Sequence, residues 1–97
     1  ESCTGGLLSG EFARVPGASD VFLGSVVSYS NQVKRDLLNV GANSLRFEGA
    51  VSARVAFEMA RGARDRLRCD CAVAVTGSVS VKSALYSSGT SAKGIAS

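Results

Sequence analysis

The order of apolar and polar positions along the chain predicts alternating helices and strands. Leu7, Leu8, Phe12 and Val15 fall at helical spacing, and the turn "VPGASD" at 15–20 ends that short helix. The next stretch, "VFLGSVVSYS" at 21–30, is rich in β-branched and aromatic residues and predicts a buried strand. Ser30 or Asn31 can cap a second helix over 32–40, which Gly41 is expected to end.

The clearest helical pattern follows, over residues 49–68. Ser52 is a good N-cap, and the apolar stripe behind it consists of Val55, Met59, Ala63 and Leu67, with Ala56 and Ala60 beside them. The charged side chains fall mostly off that stripe: Arg54, Glu58, Arg61, Arg64 and Asp65. As a basic patch they could attract phosphate, but the pattern favours a solvated helix face. "CDCAVAVTGS" at 69–78 then predicts a strand that runs into a Thr-Gly turn.

The last part of the chain has a different texture. Residues 78–97 are rich in serine and show little sustained periodicity, so we expect loop or irregular structure with at most one short strand near Val79 and Val81. Alternating helices and strands with short connections favour a layered α/β domain over a helix bundle or a β-sandwich. With 97 residues, a single small domain is expected.

Composition narrows the classes of function. The chain has no apolar run near the roughly 18 residues that span a membrane, and its net charge of +3 suits a phosphorylated small ligand better than nucleic acid. Three cysteines and no histidine argue against a metal centre. Cys69 and Cys71 share one face of a predicted strand and are interpreted as small buried hydrophobes, which fits a reducing, cytoplasmic setting.

Three short motifs carry the candidate chemistry. "SCTGG" precedes the first helix, "YSNQVK" joins the first strand to the second helix, and "TGS" ends the second strand. Ligands of open α/β sheets gather at the carboxyl ends of strands and at the helix N-termini that follow them. If the strands are neighbours, the three motifs converge on one edge of the sheet.

These motifs supply a nucleophile and a base. Ser2 needs a base to attack, and without histidine a Ser-His-Asp relay is excluded. Lys34 can be that base if burial lowers its pKa, and Tyr29 can relay or orient a proton. The backbone N–H groups around Thr4, Gly5 and Gly6 would form an oxyanion hole.

Structural roles remain open for the same residues. On the residues alone, a serine before a glycine-rich turn is typical of a helix cap, a strand-end tyrosine of packing, and an early-helix lysine of a solvated position. A third interpretation makes Cys3 the nucleophile, against which a buried thiol that packs beside the turn is the simpler alternative.

The motifs also resemble a known family. "ESCTGGLL", "VPGASDVFLGSVVSYSNQVKRDLLNV", "GAVSARVAFEMARGAR" and "CAVAVTG" are similar, in order and spacing, to the C-terminal domain of the CinA (competence/damage-inducible protein) family over residues 1–77. The resemblance implies a three-layer α/β/α sandwich around a mixed sheet. It also implies a nicotinamide-nucleotide amidase that converts nicotinamide mononucleotide to nicotinic acid mononucleotide and ammonia, without a cofactor or metal.

The resemblance assigns roles to single residues. Ser2, Tyr29 and Lys34 match the catalytic positions of the family. Substrate binding falls to the residues that line the pocket: Thr4, Gly5, Gly6, Asn31, Thr76 and Gly77.

Residues 78–97 depart from the family pattern, which continues with a glycine- and proline-rich loop and a further strand and helix. The expectation is therefore one partial domain over 1–97, with a sheet incomplete at both ends whose exposed edges invite pairing with another chain, including a second copy. The alternative function is a non-catalytic remnant that acts as a binding or interaction module.

Overall fold

The computed structural model describes residues 1–78, 81–87 and 93–96. Within these ranges the helices are α1 (Leu7–Ala13), α2 (Asn31–Leu38), α3 (Ala42–Phe47) and α4 (Ala53–Leu67), with a short 3₁₀ turn at Ala18–Asp20. The strands are β1 (Cys71–Gly77), β2 (Val81–Ser87) and β3 (Lys93–Ala96). None of the helices in these ranges is long and apolar enough to cross a membrane.

The three strands form one antiparallel sheet in the order β1-β2-β3. Cys71 lies opposite Ser87 and Gly77 opposite Val81 in the first pair, and Ala84 lies opposite Gly94 in the second. The short strand expected near Val81 is present as β2, but it runs to Ser87, so the prediction of an irregular tail is wrong for the rest of β2 and for 93–96, while Val79 lies outside the described residues. Serine and alanine give β2 a weak local pattern, but backbone pairing with β1 is non-local and does not depend on that pattern.

The segment 21–30 does not form the buried strand that its composition predicts. It is extended, yet Val21 is 81% exposed and Leu23 is 64% exposed. Its backbone pairs with Glu1, whose amino group donates to the Val26 carbonyl at 2.7 Å and whose carbonyl accepts from the Ser28 N–H at 2.7 Å. A β-branched composition favours a strand, but a segment joins a sheet only where a partner strand pairs with it.

Glu1 and Ser2 connect this segment to the sheet. The two bonds of Glu1 to Val26 and Ser28 have the pattern of a parallel pair, and the Ser2 N–H donates to the Val75 carbonyl of β1 at 3.1 Å. The described strands themselves pair only antiparallel, so the parallel pairing that a mixed sheet requires is limited to the contacts of Glu1.

Helices cover both faces of this arrangement. Val26 packs against the core cluster that includes α4, whereas the hydroxyl of its neighbour Ser25 is hydrogen-bonded to the Ser9 hydroxyl of α1. Adjacent residues of an extended chain point to opposite sides, so α1 and α4 lie on opposite faces. The α/β class and the three layers are confirmed.

The apolar stripe of α4 forms the centre of the core. Val55, Ala56, Met59 and Ala60 are fully buried, and Ala63 is partly buried against them. The remaining core residues come from other elements: Leu38, Val40, Ala74 and Ala84. At Gly62 the two helices approach so closely that a Cβ would lie 1.9 Å from the Leu38 carbonyl oxygen, so α2 packs on α4 through a glycine.

The end of α2 differs from the prediction. Ser30 caps the helix, because its Oγ accepts from the Val33 N–H at 3.1 Å. The residue that ends the helix is the C-cap Asn39, in the left-handed conformation with φ 56°, and not Gly41. Asn tolerates this conformation better than most residues. Gly41 instead is the N-cap of α3, a helix that the sequence pattern did not predict.

The cysteines are more accessible than predicted. Cys3 and Cys71 are exposed, and Cys69 is half-buried and precedes β1. β1 pairs with β2 along one edge, and its other edge borders an apolar groove of about 270 Å³. The segment 21–26 forms the far side of this groove. Cys71 lies at this groove, where its thiol is accessible.

Candidate active site

Lys34 is the fourth residue of α2, and its side chain is buried with 1% of the residue exposed. Its Nζ donates to Ser2 Oγ at 2.9 Å, to the Ser28 carbonyl at 2.8 Å and to the Tyr29 carbonyl at 3.0 Å. The Ser30 cap fixes where α2 begins and thus where Lys34 projects. The predicted convergence of Ser2 and Lys34 is confirmed.

The surroundings of Lys34 favour the neutral amine. Burial lowers the pKa of the Lys34 ammonium, because removal from water penalises the charged form. In the neutral amine, the two N–H groups can remain on the Ser28 and Tyr29 carbonyls, and the lone pair then faces Ser2 Oγ. The same three contacts therefore suit both protonation states: the ammonium donates in all three, and the neutral amine can accept the Ser2 proton as a base.

Ser2 itself is held in a tight turn. Its carbonyl accepts from the Gly5 N–H at 3.0 Å, and the Leu7 N–H donates to the Thr4 carbonyl at 3.1 Å. Gly5 and Gly6 have φ of 60° and 113°, which glycine adopts without strain. Ser2 is 6% exposed, so the turn shields the hydroxyl and directs it to Lys34.

The backbone donors of this turn differ from the predicted set. The Gly5 N–H is bonded to the Ser2 carbonyl, and the Gly6 N–H donates to Glu1 Oε1 at 3.1 Å, so neither is available to an oxyanion. Within the described part of the chain, the N–H groups of Cys3 and Thr4 have no acceptor. These two directly follow the nucleophile, and the i to i+3 bond of the turn leaves them free.

Sequence reasoning did not single out Glu1. Its carboxylate, in a residue only 8% exposed, accepts from the Thr4 hydroxyl and from the N–H groups of Gly6 and Leu8 on Oε1, and from both the N–H and the hydroxyl of Ser9 on Oε2. Burial alone would raise the pKa of the Glu1 carboxyl, but the hydrogen bonds from Ser9, Thr4 and Leu8 lower it to about 2. An acidic residue just ahead of a Gly-Gly turn and a helix is the signal that could have found it.

Tyr29 contributes its carbonyl and not its hydroxyl to this cluster. Its side chain is 74% exposed, and among the described residues the hydroxyl makes no hydrogen bond. The Tyr29 hydroxyl therefore makes no direct hydrogen bond to Ser2 or Lys34 among the described residues, and its role as a proton relay stays a prediction. The strand-end position that favours Tyr29 on sequence grounds brings its backbone to Lys34 and leaves its ring outside.

The other predicted binding residues lie at the start of α2 and at the end of β1. Asn31 is exposed as the first residue of α2. Thr76 and Gly77 follow Val75, to which Ser2 is bonded, but Thr76 is 1% exposed and its hydroxyl donates to the Ala50 carbonyl at 2.9 Å. The apolar groove borders Glu1 and neither Ser2 nor Lys34, so it is not a cavity into which this pair opens.

Comparison with known proteins places the chain in a family. The model of the CinA C-terminal domain matches residues 1–97. CinA-like proteins of Pseudothermotoga lettingae and of Synechococcus sp. strain CC9311 are 51% and 57% identical over 77 residues, which are 79% of this chain and 19% and 18% of those proteins. The chain thus spans about a fifth of the length of these curated relatives.

Solved structures agree with this assignment. The competence/damage inducible protein CihA of Agrobacterium tumefaciens superposes with a TM-score of 0.90 at 37% identity, over 98% of this chain and 65% of that one. A CinA-superfamily protein of Escherichia coli gives a TM-score of 0.90 at 29% identity, over 97% of this chain and 61% of that one. The chain belongs to the CinA C-terminal domain family.

Proposed function

We propose that this domain is an amidohydrolase that releases ammonia from nicotinamide mononucleotide and forms nicotinic acid mononucleotide, with Ser2 as nucleophile and Lys34 as base. The observation that carries the proposal is the buried 2.9 Å contact between Lys34 Nζ and Ser2 Oγ. A solvated lysine would stay protonated, whereas burial moves this one toward the neutral form that a base requires.

The reaction follows from the geometry. Neutral Lys34 takes the proton of Ser2 Oγ as the oxygen attacks the amide carbon. The C–N bond then breaks, the leaving nitrogen takes the proton from Lys34 and departs as ammonia, and an ester on Ser2 remains. Water, deprotonated by Lys34, hydrolyses that ester and regenerates both groups.

Charge on the tetrahedral intermediates needs donors near Ser2. The N–H groups of Cys3 and Thr4 are the free backbone donors of the turn, and we assign them this role in place of Gly5 and Gly6. Gly5 and Gly6 shape the turn, and Asn31 lies at the N-terminus of α2, where an anionic group of the substrate is favoured.

The choice of substrate comes from the resemblance of the motifs to the amidase family. The net charge of +3 agrees with a phosphorylated ligand. We place the reaction in the cytoplasm, since the cysteines of the described chain are free thiols, as in a reducing compartment.

The test is ammonia release from nicotinamide mononucleotide. Ser2→Ala and Lys34→Arg should each lower kcat/KM by about three orders of magnitude or more. The first removes the nucleophile, and the second introduces a guanidinium that cannot lose its proton to act as a base. Cys3→Ala and Lys82→Arg are the matched controls and should keep near wild-type rates. The wild-type rate should rise with pH through the lowered pKa of Lys34.

Tyr29→Phe should have an intermediate effect, about tenfold on kcat/KM, since the hydroxyl is free to contact substrate but touches neither Ser2 nor Lys34. Near-normal activity of Ser2→Ala would show that the nucleophile is a different group. If the wild-type chain released no ammonia, the non-catalytic binding module would be the better description.

A further inference from the structure

We propose that Glu1 is a positioning residue for the nucleophile turn, defined here as residues 2–6. Glu1 is bonded through both its backbone and its carboxylate, and the turn that carries Ser2 lies between these two attachments. The activity part of this inference rests on the proposed function; the geometric part stands on the contacts of Glu1 alone.

The backbone of Glu1 fixes where the turn begins. Its amino group and its carbonyl bond to Val26 and Ser28, and the next N–H, that of Ser2, bonds to Val75 of β1. Ser28 also supplies a carbonyl to Lys34 Nζ, so the same short stretch positions the base and the start of the turn.

The carboxylate fixes where the turn ends. It accepts from the N–H groups of Gly6, Leu8 and Ser9, which belong to the last residue of the turn and to the first residues of α1. The Thr4 hydroxyl, in the middle of the turn, donates to the same carboxylate at 2.5 Å. With both ends held by one residue, Ser2 Oγ stays directed at Lys34, and the Cys3 and Thr4 N–H groups stay free.

Every protein contact of this carboxylate comes from a donor. Oε1 faces the Thr4 hydroxyl and two N–H groups, and Oε2 faces the N–H and the hydroxyl of Ser9. A glutamine would place an NH₂ group against some of these donors, which removes bonds and adds repulsion with almost no change in volume. Glu1→Gln therefore loosens the turn without opening a cavity.

The matched control is Glu11→Gln. Glu11 lies on α1, whose start Glu1 binds, but its side chain is 69% exposed and pairs with Arg14 on the surface. Both substitutions replace a carboxylate by an amide near the start of α1. They differ in that only the carboxylate of Glu1 is bonded to the nucleophile turn.

Labelling of Ser2 by a fluorophosphonate, in the 97-residue chain, tests positioning without reference to any substrate. Glu1→Gln should slow labelling by about 10- to 100-fold, the loss that a misplacement of about 1 Å produces, while Glu11→Gln keeps the wild-type rate. Thr4→Val removes a single donor to the carboxylate and should slow labelling several-fold with the helices intact by circular dichroism. Equal rates in wild type and Glu1→Gln, including the case in which neither is labelled, would overturn the proposal.

Ammonia release gives the second readout. For nicotinamide mononucleotide, Glu1→Gln should lower kcat by at least tenfold with KM within about threefold, because Glu1 orients the nucleophile and does not bind substrate. Absence of ammonia release by the wild type, with slowed labelling of Glu1→Gln, would reject the proposed substrate and support the positioning role. A change confined to KM would reject the positioning role.

Discussion

Two buried carboxylates in this molecule use the same chemistry for different ends. Glu58 on α4 is 3% exposed and accepts from the Gly41 N–H at 2.7 Å, the Ser44 hydroxyl at 2.5 Å and Arg54 Nε at 2.6 Å. Glu1 binds the start of α1 in the same way, as Glu58 binds the start of α3. Both sites satisfy helix N-terminal donors with an anion.

The difference lies in what is attached to each helix start. Glu58 has a cationic partner in Arg54 and makes no hydrogen bond to Ser2 or Lys34, so its role is to dock α3 onto α4. Glu1 has no such cation in the described ion pairs, and its next residue is the nucleophile. Burial raises the pKa of the Glu58 carboxyl and the bonds from Ser44, Gly41 and Arg54 more than offset it, so the pKa is lowered at both sites. The comparison separates a carboxylate that stabilises the fold from one that also organises chemistry.

The largest expected effect concerns the packing of α2 on α4, which supports both regions. Gly62→Ala would set a Cβ 1.9 Å from the Leu38 carbonyl oxygen, and the helices must separate, at a cost of about 3 kcal/mol or more in the free energy of unfolding. Urea denaturation measures it. Gly10→Ala, where nothing lies within 4 Å, is the control and should be neutral or stabilising by up to about 1 kcal/mol.

An unchanged free energy of unfolding in Gly62→Ala would contradict the close approach of α2 and α4. Since α2 carries Lys34, the same substitution should also slow ammonia release, even though Gly62 makes no contact with Ser2.

The next largest effect is expected in acid unfolding, which measures the contribution of Glu1 to the free energy of unfolding. Its carboxyl has a pKa of about 2 in the fold against an ordinary 4.5, so the stabilisation is present above pH 4.5 and is lost as the pH falls toward 2. The shift corresponds to at most about 3 to 4 kcal/mol. Unfolding free energies measured between pH 5 and pH 2 should fall less steeply in Glu1→Gln than in Glu11→Gln. Parallel curves would contradict the assignment of this acid sensitivity to Glu1.

The smallest effect is expected at Glu58. Glu58→Gln should lower the free energy of unfolding by about 2 kcal/mol, because charged hydrogen bonds to buried donors are weakened. Its kcat should stay within about twofold of wild type, in contrast to Glu1→Gln. A tenfold loss of kcat in Glu58→Gln, at temperatures where the variant is folded, would break the distinction between the two carboxylates.

Local signals were reliable where they depended on the immediate neighbours of a residue. The caps Ser30 and Ser52 begin α2 and α4 as predicted, with Val33 and Val55 as the donors, and the α4 stripe enters the core. The same approach failed for Glu58, which helical spacing places off the stripe and the structure buries. Gly41 and Ser44 reach it there, and no pattern within α4 shows that α3 will lie against it.

By itself the sequence determined the α/β class, the cap and stripe of α4, the family, and the pairing of Ser2 with Lys34 as candidates. These follow from short-range rules of periodicity and capping and from motifs whose spacing is preserved. Tertiary structure alone decided that β2 pairs with β1, that the segment 21–26 lacks a neighbouring strand within the described residues, and that Glu1 holds the nucleophile turn. Each of these depends on backbone groups that are distant in sequence and find hydrogen-bond partners only once the chain is folded.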